Sequence, residues 1–181
     1  MNKNEFLNFV AQGYHRIPVS KTLEGFNIDP INIYEKISDK SYSYLLESIE
    51  GGKKWSRYTI IGLPSQDYIE LIKGKLYLHE SGKTSEIDTD SPIEWIQNYN
   101  EDLKVHCADN LPEFQGGLVG YFGFDTVKIF EPNIQISNQS DLLKTPDIKL
   151  IISRDLLIFD KLKNKIHIIV ISDPSLDDFG K

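Results

Sequence analysis

Apolar side chains recur at helical spacing in three parts of the chain. One stripe occupies the first dozen residues, where Gly13 is expected to end the helix. A second, shorter helix is predicted to begin at Asp29-Pro30, a favourable N-cap followed by proline in the first turn. A third is predicted at Ser91-Pro92-Ile93-Glu94, a capping box that leads into an apolar stripe. The stripes consist of Phe6, Phe9 and Val10, of Ile31, Tyr34 and Ile37, and of Ile93, Ile96 and Leu103.

The remaining apolar segments are short, rich in Ile, Tyr and Leu, and separated by turn residues, which is the pattern of β-strands. Sequential antiparallel pairing is the simplest arrangement for them, with a hairpin loop over 160–164. Strands in series with single inserted helices predict an α+β fold of antiparallel, β-sandwich-like sheets. The predicted strands are 42–48, 57–63, 68–73, 76–79, 117–124, 148–159 and 165–171, after an extended stretch over 15–23.

Composition and charge exclude several classes of protein. The 181 residues suit one domain with a substantial core. Because 20 Lys and Arg stand against 27 Asp and Glu, with no basic stripe, nucleic acid is not an expected partner. The first dozen residues contain no apolar h-region and no small-residue cleavage site, so we expect no signal peptide, and no apolar run is long enough to cross a bilayer. Cys107 is the only cysteine, so no internal disulfide can form, and we expect a cytoplasmic protein that does not enter membranes.

No motif predicts a catalytic or metal site. The stretch Ser81-Gly82-Lys83-Thr84 resembles the end of a phosphate-binding loop, but Tyr77 stands where that loop needs its first glycine. We therefore interpret it as a hairpin turn. The four histidines lack the spacing of a metal ligand set, and no serine lies in a nucleophile elbow.

A glycine-rich segment over 116–125 is the second unusual stretch. Its glycines are not spaced as a dinucleotide fingerprint, and no helix with a following acidic residue supports that interpretation. Glycines within a strand more often mark the close approach of another backbone or ring. We predict a packing or domain-interface role for Gly117, Gly120, Tyr121, Gly123 and Asp125.

The pair Glu47-Ser48 ends a predicted strand, where a buried strand would continue with apolar residues. One interpretation is a strand end that emerges into solvent. The other is a small-molecule site, in which a carboxylate and a hydroxyl bind a ligand that carries both signs of charge, such as an amino acid. Lys53, Lys54 or Arg57, just across the following loop, could then meet the ligand carboxylate.

Several motifs occur in order along the chain: YLLES at 44–48, Gly51-Gly52, WSRYTIIG at 55–62, PEFQGGLVGYFGFD at 112–125, Pro146-Asp147-Ile148 and Ile158-Phe159-Asp160. Together they resemble the N-terminal region of the large subunit of anthranilate synthase, component I. The resemblance runs over nearly the whole chain. It implies that residues 1–172 are a regulatory and scaffold domain, followed over 173–181 by a linker or tail towards a missing C-terminal chorismate-binding domain.

The resemblance also implies an activity that this chain lacks. The full-length parent would be a lyase of tryptophan biosynthesis that converts chorismate, with ammonia or glutamine, to anthranilate. Chorismate, Mg²⁺ and the catalytic residues would belong to the missing domain, and a separate glutamine amidotransferase subunit would supply ammonia. We therefore expect no catalytic residue, metal or cofactor in this part and no activity from it alone.

In the resembling family the Leu-Leu-Glu-Ser strand binds the feedback inhibitor tryptophan. This implies a tryptophan-binding role for Leu46, Glu47 and Ser48, with Arg57 and Tyr58 as weaker candidates. Binding is expected to be weak in this chain alone. Two alternatives remain open: the N-terminal domain of aminodeoxychorismate synthase component I, and a stand-alone β-sandwich module that binds a small ligand.

Overall fold

The computed structural model describes residues 1–25, 27–38, 42–47, 57–101, 105–131 and 144–174. Within these ranges the chain forms ten strands and four α-helices, and the predicted α+β class is confirmed. The strands are β1 (Ile17–Glu24), β2 (Tyr44–Glu47), β3 (Tyr58–Gly62), β4 (Tyr68–Ile72), β5 (Lys75–Glu80), β6 (Lys83–Ile87), β7 (Gly117–Phe122), β8 (Ile148–Ser153), β9 (Asp155–Asp160) and β10 (Lys165–Ser172). The helices are α1 (Lys3–Ala11), α2 (Pro30–Glu35), α3 (Pro92–Glu101) and α4 (Val127–Phe130), the last preceded by a 3-10 turn over Phe124–Thr126.

The strands form two antiparallel sheets of five strands each. Sheet 1 has the order β1-β10-β9-β3-β2, and sheet 2 has the order β6-β5-β4-β8-β7. Consecutive strands pair in most places, as predicted. The prediction of sequential pairing is wrong for β3 and β4, which lie in different sheets, and for β1, whose partner is β10. The alternation of apolar residues along a strand indicates which side chains face the core. It carries no information on which distant strand will be the neighbour in the sheet.

The run 148–159, predicted as one strand, is two strands in different sheets. Arg154 separates β8 from β9, and its carbonyl accepts a hydrogen bond from Ile171 of sheet 1 at 2.8 Å. The Arg154 side chain instead contacts sheet 2, where Nη2 donates a hydrogen bond to Glu80 Oε1 at 2.8 Å. The polar triplet 153–155 within an otherwise apolar run is the signal for this break.

The sequence motif at 81–84 forms a hairpin turn rather than a phosphate loop. Ser81 and Gly82 both adopt positive φ, at 54° and 74°, between β5 and β6. β6 itself was not predicted, because its residues are polar and almost all exposed on an outer strand. A strand without a buried face has no apolar alternation by which it can be recognised.

The helix boundaries follow local capping chemistry. Asp29 Oδ1 accepts from the backbone nitrogen of Ile31 at 3.0 Å, with proline in the first turn, as predicted. Asn2 and Glu5 form a reciprocal capping box that begins α1, a signal that is also present in the sequence. Gly13 lies just beyond α1 at φ 77°, so the predicted helix end is confirmed. Leu103, the last residue of the third predicted stripe, lies outside the described residues.

The buried apolar side chains form three clusters. One lies between sheet 2 and α3, and the other two lie on opposite faces of sheet 1. Side chains of β9 alternate between the two faces of sheet 1, and both faces are buried. Leu156 and Ile158 belong to one cluster, whereas Phe159 belongs to the other. The loop residues Leu111 and Phe114 cover the first face, and Ile33, Tyr34 and Ile37 of the α2 region cover the second.

A buried hydrogen bond joins the two sheets. Tyr44 of β2 and Ser153 of β8 lie 2.7 Å apart through Oη and Oγ, and Ser153 is 4% exposed. The Tyr44 ring also occupies the space above Gly62, since a Cβ built there would lie 2.0 Å from ring atom Cε1. Burial raises the pKa of the Tyr44 phenol, so it stays protonated and available for this bond.

Replacement of Tyr44 by phenylalanine is expected to lower the free energy of unfolding by about 1–2 kcal/mol, because a buried Ser153 hydroxyl loses its partner. Urea denaturation measures the change. The matched control is Tyr34→Phe, whose hydroxyl makes only a long 3.4 Å contact to a backbone carbonyl, so little change is expected. A larger loss in the control than in Tyr44→Phe would contradict this role of the cross-sheet bond.

Candidate functional site

The Glu47 carboxylate is fixed at the margin of sheet 1. Glu47 ends β2, the outer strand of the sheet, and lies opposite Thr59 of β3. Its Oε1 accepts hydrogen bonds from Lys161 Nζ at 2.6 Å and from Thr59 Oγ1 at 3.2 Å. The Lys161 hydrogen bond holds the pKa of the Glu47 carboxyl below its ordinary value, so the group is charged at neutral pH.

The environment of Glu47 is intermediate between solvent and core. Its side chain is 25% exposed, so it is neither free in water nor sealed in the interior. Both contacts are made by Oε1, and the described part of the chain places no hydrogen-bond partner on Oε2. Among the described residues one carboxylate oxygen is thus held and the other has no donor, and a carboxylate oxygen can accept a hydrogen bond from one.

Leu46 is 46% exposed and its side chain lies on the opposite face of β2 from that of Glu47. The two side chains therefore do not line one pocket together. Ser48, Lys53 and Lys54, the other predicted members of the site, lie outside the described residues.

Arg57 is committed to an ion pair. Its Nε and Nη2 donate to the two carboxylate oxygens of Asp160, at 3.0 and 2.6 Å. The guanidinium also lies 4.7 Å from the ring centre of Tyr58. The Asp160 hydrogen bonds raise the pKa of Arg57 above its ordinary value. A ligand carboxylate would have to compete with Asp160 for this guanidinium.

Arg57 and Tyr58 line an open cleft of about 520 Å³ on one end of sheet 1. The loop 109–112, Asp160 and His167 also line this cleft. Among the described residues, neither Leu46 nor Glu47 lines this cleft. The structure thus brings Arg57 and Tyr58 together and places Glu47 apart from them.

Lys161 and Thr59 are contacts of Glu47 that sequence reasoning missed. Thr59 is in the predicted partner strand, so a correct register would have found it. Lys161 is 114 positions away, and only the β3–β9 pairing brings it near. No local pattern in the sequence could have revealed that contact.

The glycine-rich segment divides into packing positions and exposed positions. A Cβ at Gly120 would lie 1.8 Å from the backbone oxygen of Lys149, and one at Gly123 would lie 3.0 Å from that of Asp147. A Cβ at Gly117 would meet no atom within 4 Å, but φ there is 126°, a conformation that residues with a side chain rarely adopt. Tyr121 is 42% exposed, and Asp125 is exposed as well.

Three observations bear on the other predictions. In the described ranges, no group of three or more His, Cys, Asp or Glu side chains is placed to hold a metal ion. None of the described helices is long and apolar enough to cross a membrane. Of the predicted tail 173–181, Asp173 is buried at 8% exposure, and residues 175–181 lie outside the described part.

Comparison with known proteins supplies the remaining evidence. No family model matches the chain. It is 41% identical over 177 residues to anthranilate synthase component 1 of Pseudomonas putida, covering 97% of this chain and 36% of that protein. It is 36% identical over 181 residues to the protein of the same name from Neisseria meningitidis serogroup B, covering 98% and 37%. The chain thus spans little more than a third of these curated relatives.

A solved structure shows the same similarity in three dimensions. The crystal structure of anthranilate synthase component I from Streptococcus pneumoniae TIGR4 matches 83% of this chain and 31% of its own, at 27% identity and a TM-score of 0.52. The arrangement of sheets and helices is therefore one that this protein shares.

Proposed function

The chain is a relative of anthranilate synthase component 1 along 97% of its own length, and from this premise we propose that it is the N-terminal regulatory and scaffold part of such an enzyme. The parent would be a lyase that converts chorismate, with ammonia or glutamine, to anthranilate in the cytoplasm. A glutamine amidotransferase subunit would supply the ammonia. This assignment is supported by relatives that share one name and by the fold of the solved neighbour.

The chemistry would belong to the part of the parent that lies outside this chain. Mg²⁺ and chorismate would be held there, in the region of the parent that this chain does not match. The 181-residue chain alone is then expected to produce no anthranilate.

The second element of the proposal is a tryptophan site at the Glu47 margin of sheet 1. One observation carries it: Glu47 is held charged by Lys161 through Oε1, whereas Oε2 has no partner among the described residues. An ammonium group could donate to that second oxygen, forming a charge-assisted hydrogen bond. Ser48, next in the chain, would supply a further polar contact, and the exposed Leu46 would offer apolar surface on the other face of the strand.

The partner of the ligand carboxylate is better sought in Lys53 or Lys54 than in Arg57, which already binds Asp160 through two N–H groups. Tyr58 would contribute only if the ligand extended into the cleft that it lines with Arg57. Because the Leu46 side chain lies on the opposite face of β2 from that of Glu47, we rank Glu47 and Ser48 as the primary set and Leu46, Arg57 and Tyr58 as secondary.

Inhibition in the parent would be allosteric. Tryptophan would favour an arrangement of this domain against the catalytic part that binds chorismate poorly. Linkage then requires chorismate to weaken tryptophan binding by the same factor.

Ser48→Leu and Glu47→Gln in the full-length parent are each expected to raise the tryptophan concentration for half-inhibition by roughly tenfold or more, the range of a typical allosteric coupling. Anthranilate formation from chorismate and ammonia, followed at increasing tryptophan, measures this. The control is Glu86→Gln, which removes an exposed carboxylate on β6 of sheet 2 that also pairs with a lysine, at 2.7 Å. The control curve should not move.

An inhibition curve that stays unchanged in both variants, while the control behaves as wild type, would contradict the tryptophan site. Calorimetry of the 181-residue chain tests a separate expectation, that it binds tryptophan weakly because the remainder of the parent completes the pocket. Low-micromolar affinity of this chain would contradict that expectation.

A further inference from the structure

A ten-residue segment over 121–130 exposes an unusual amount of apolar surface. Phe124 is 84% exposed and Phe130 is 59% exposed, in a chain whose other aromatic residues are mostly packed. Large exposed apolar patches in proteins usually mark a surface that a partner covers, and five exposed apolar side chains within ten residues are a candidate for such a surface. We call this segment the aromatic patch, and its exposed members are Tyr121, Phe122, Phe124, Ile129 and Phe130.

The fold presents the aromatic patch in a fixed conformation. β7 is an outer strand of sheet 2, and the chain leaves it through Gly123, whose nitrogen donates to the Asp147 carbonyl at 2.7 Å. The buried Thr126 hydroxyl then donates to the Gly123 carbonyl at 2.6 Å, which fixes the 3-10 turn that carries Phe124. Because the backbone is already ordered, little conformational entropy would be lost when a partner covers these side chains.

Composition favours a permanent partner over a transient one. The segment contains five exposed apolar side chains and only two charged residues, Asp125 and Lys128. Interfaces between permanently joined parts are more apolar and poorer in charge than those of complexes that form and dissociate. About two thirds of each curated relative lies outside the region that this chain matches, and in a parent of that length this remainder would be a permanently joined partner.

We propose that the aromatic patch is the docking surface for the part of the parent polypeptide that the curated relatives have and this chain does not. The proposal rests on the proposed function, since it takes the chain to be one part of a longer enzyme. Packing within sheet 2 explains Gly120 and Gly123 but not the exposed residues of the glycine-rich segment. Docking gives those exposed residues a role.

The test is one double substitution, Phe124→Ser with Phe130→Ser, made in two proteins. In the 181-residue chain the thermal midpoint should stay within about 2 °C of the wild type, because both side chains are already in water. In the full-length parent the midpoint should fall by on the order of 10 °C, because both rings would be buried there. The matched control is Leu162→Ser, which removes an apolar side chain that is 64% exposed in the β9–β10 turn and should affect neither protein.

Each other outcome has a distinct meaning. An equal loss of stability in the 181-residue chain would show that the rings serve its own fold, and an unchanged full-length protein would show that nothing covers them; either overturns the proposal.

Loss of glutamine-dependent but not ammonia-dependent anthranilate formation would assign the patch to the amidotransferase instead. A wild-type dimer of the short chain that the substitutions dissociate, seen by light scattering, would assign it to a second copy. If the wild-type parent makes no anthranilate, the proposed function fails, while the stability comparison still decides the docking surface.

Discussion

Gly120→Ala is expected to lower the free energy of unfolding by about 3 kcal/mol, which is large for the addition of one methyl group. The new Cβ would lie 1.8 Å from the backbone oxygen of Lys149 and 2.9 Å from Cα of Leu150. Both obstacles are backbone atoms of β8, so no side chain can move aside. The strands β7 and β8 would have to separate at the point where Gly120 faces Leu150. The thermal midpoint should fall by on the order of 10 °C.

Gly82→Ala provides the control for Gly120. It adds the same methyl group in the β5–β6 turn, where no atom lies within 4 Å but φ is 74°. Only the backbone cost of a left-handed conformation applies, about 1 kcal/mol. Urea denaturation of both variants separates the steric cost from the conformational one. A Gly120 variant as stable as the Gly82 variant would rule out the close approach of β7 and β8.

Asp160→Ala is expected to be comparably damaging, at about 3 kcal/mol, because the carboxylate holds four donors at once. Its side chain is 2% exposed and binds Arg57 through both oxygens. Oδ1 also accepts from the backbone nitrogens of Leu162 and Lys163, at 3.1 and 3.0 Å, and so shapes the β9–β10 turn. Removal leaves the Arg57 charge, 26% exposed, and two turn donors without their acceptor.

The same carboxylate gives stability a defined pH dependence. Burial acts to raise the pKa of Asp160, but the hydrogen bonds from Arg57 and from the turn nitrogens outweigh it, so the folded pKa is lowered. A lowered folded pKa stabilises the protein above the unfolded pKa of about 4, and this contribution is lost as pH falls through the folded value. Wild-type stability should therefore fall more steeply below about pH 4 than that of Asp160→Asn.

Acid titration of the unfolding free energy tests this dependence. Asp160→Asn keeps the shape of the side chain but cannot titrate, so its curve should be flatter on the acid side. Glu24→Gln removes an exposed carboxylate whose pairing with Lys165 is open to solvent, and its curve should follow the wild type. If the unfolding free energies of wild type and Asp160→Asn fell equally steeply in acid, this would show that the ion pair with Arg57 does not stabilise the fold.

Local chemistry made much of the fold predictable. The helix start at Asp29-Pro30 is visible in the sequence because the cap satisfies a donor only two residues away, and the helix at Pro92 begins where the sequence predicts it. The division of 148–159 into two strands was missed because both halves are apolar and the polar triplet 153–155 between them was not recognised as a break. Which strands become neighbours depends on packing across the whole chain.

The candidate site was also predictable only in part, because some of its features are local whereas its contacts depend on the pairing of distant strands. Glu47 stood out as a charged residue at a strand end, and its position on an outer strand of sheet 1 follows that expectation. Its restraint by Lys161 depends on the pairing of β3 with β9, which joins residues about a hundred positions apart. The docking surface was visible only as a glycine pattern until exposure distinguished Phe124 from the packed glycines around it.

The pairing of β1 with β10 has a consequence for synthesis on the ribosome. Ile17 lies opposite Ser172, so β1 emerges from the exit tunnel long before its partner has been translated. Closing so long a loop is slow, because the entropy of the intervening chain must be lost before the contact stabilises anything. In the nascent chain, β2 and β3 can pair early, whereas β1 must wait for residues 165–172. Chaperone contact during translation should therefore concentrate on the exposed apolar face of β1.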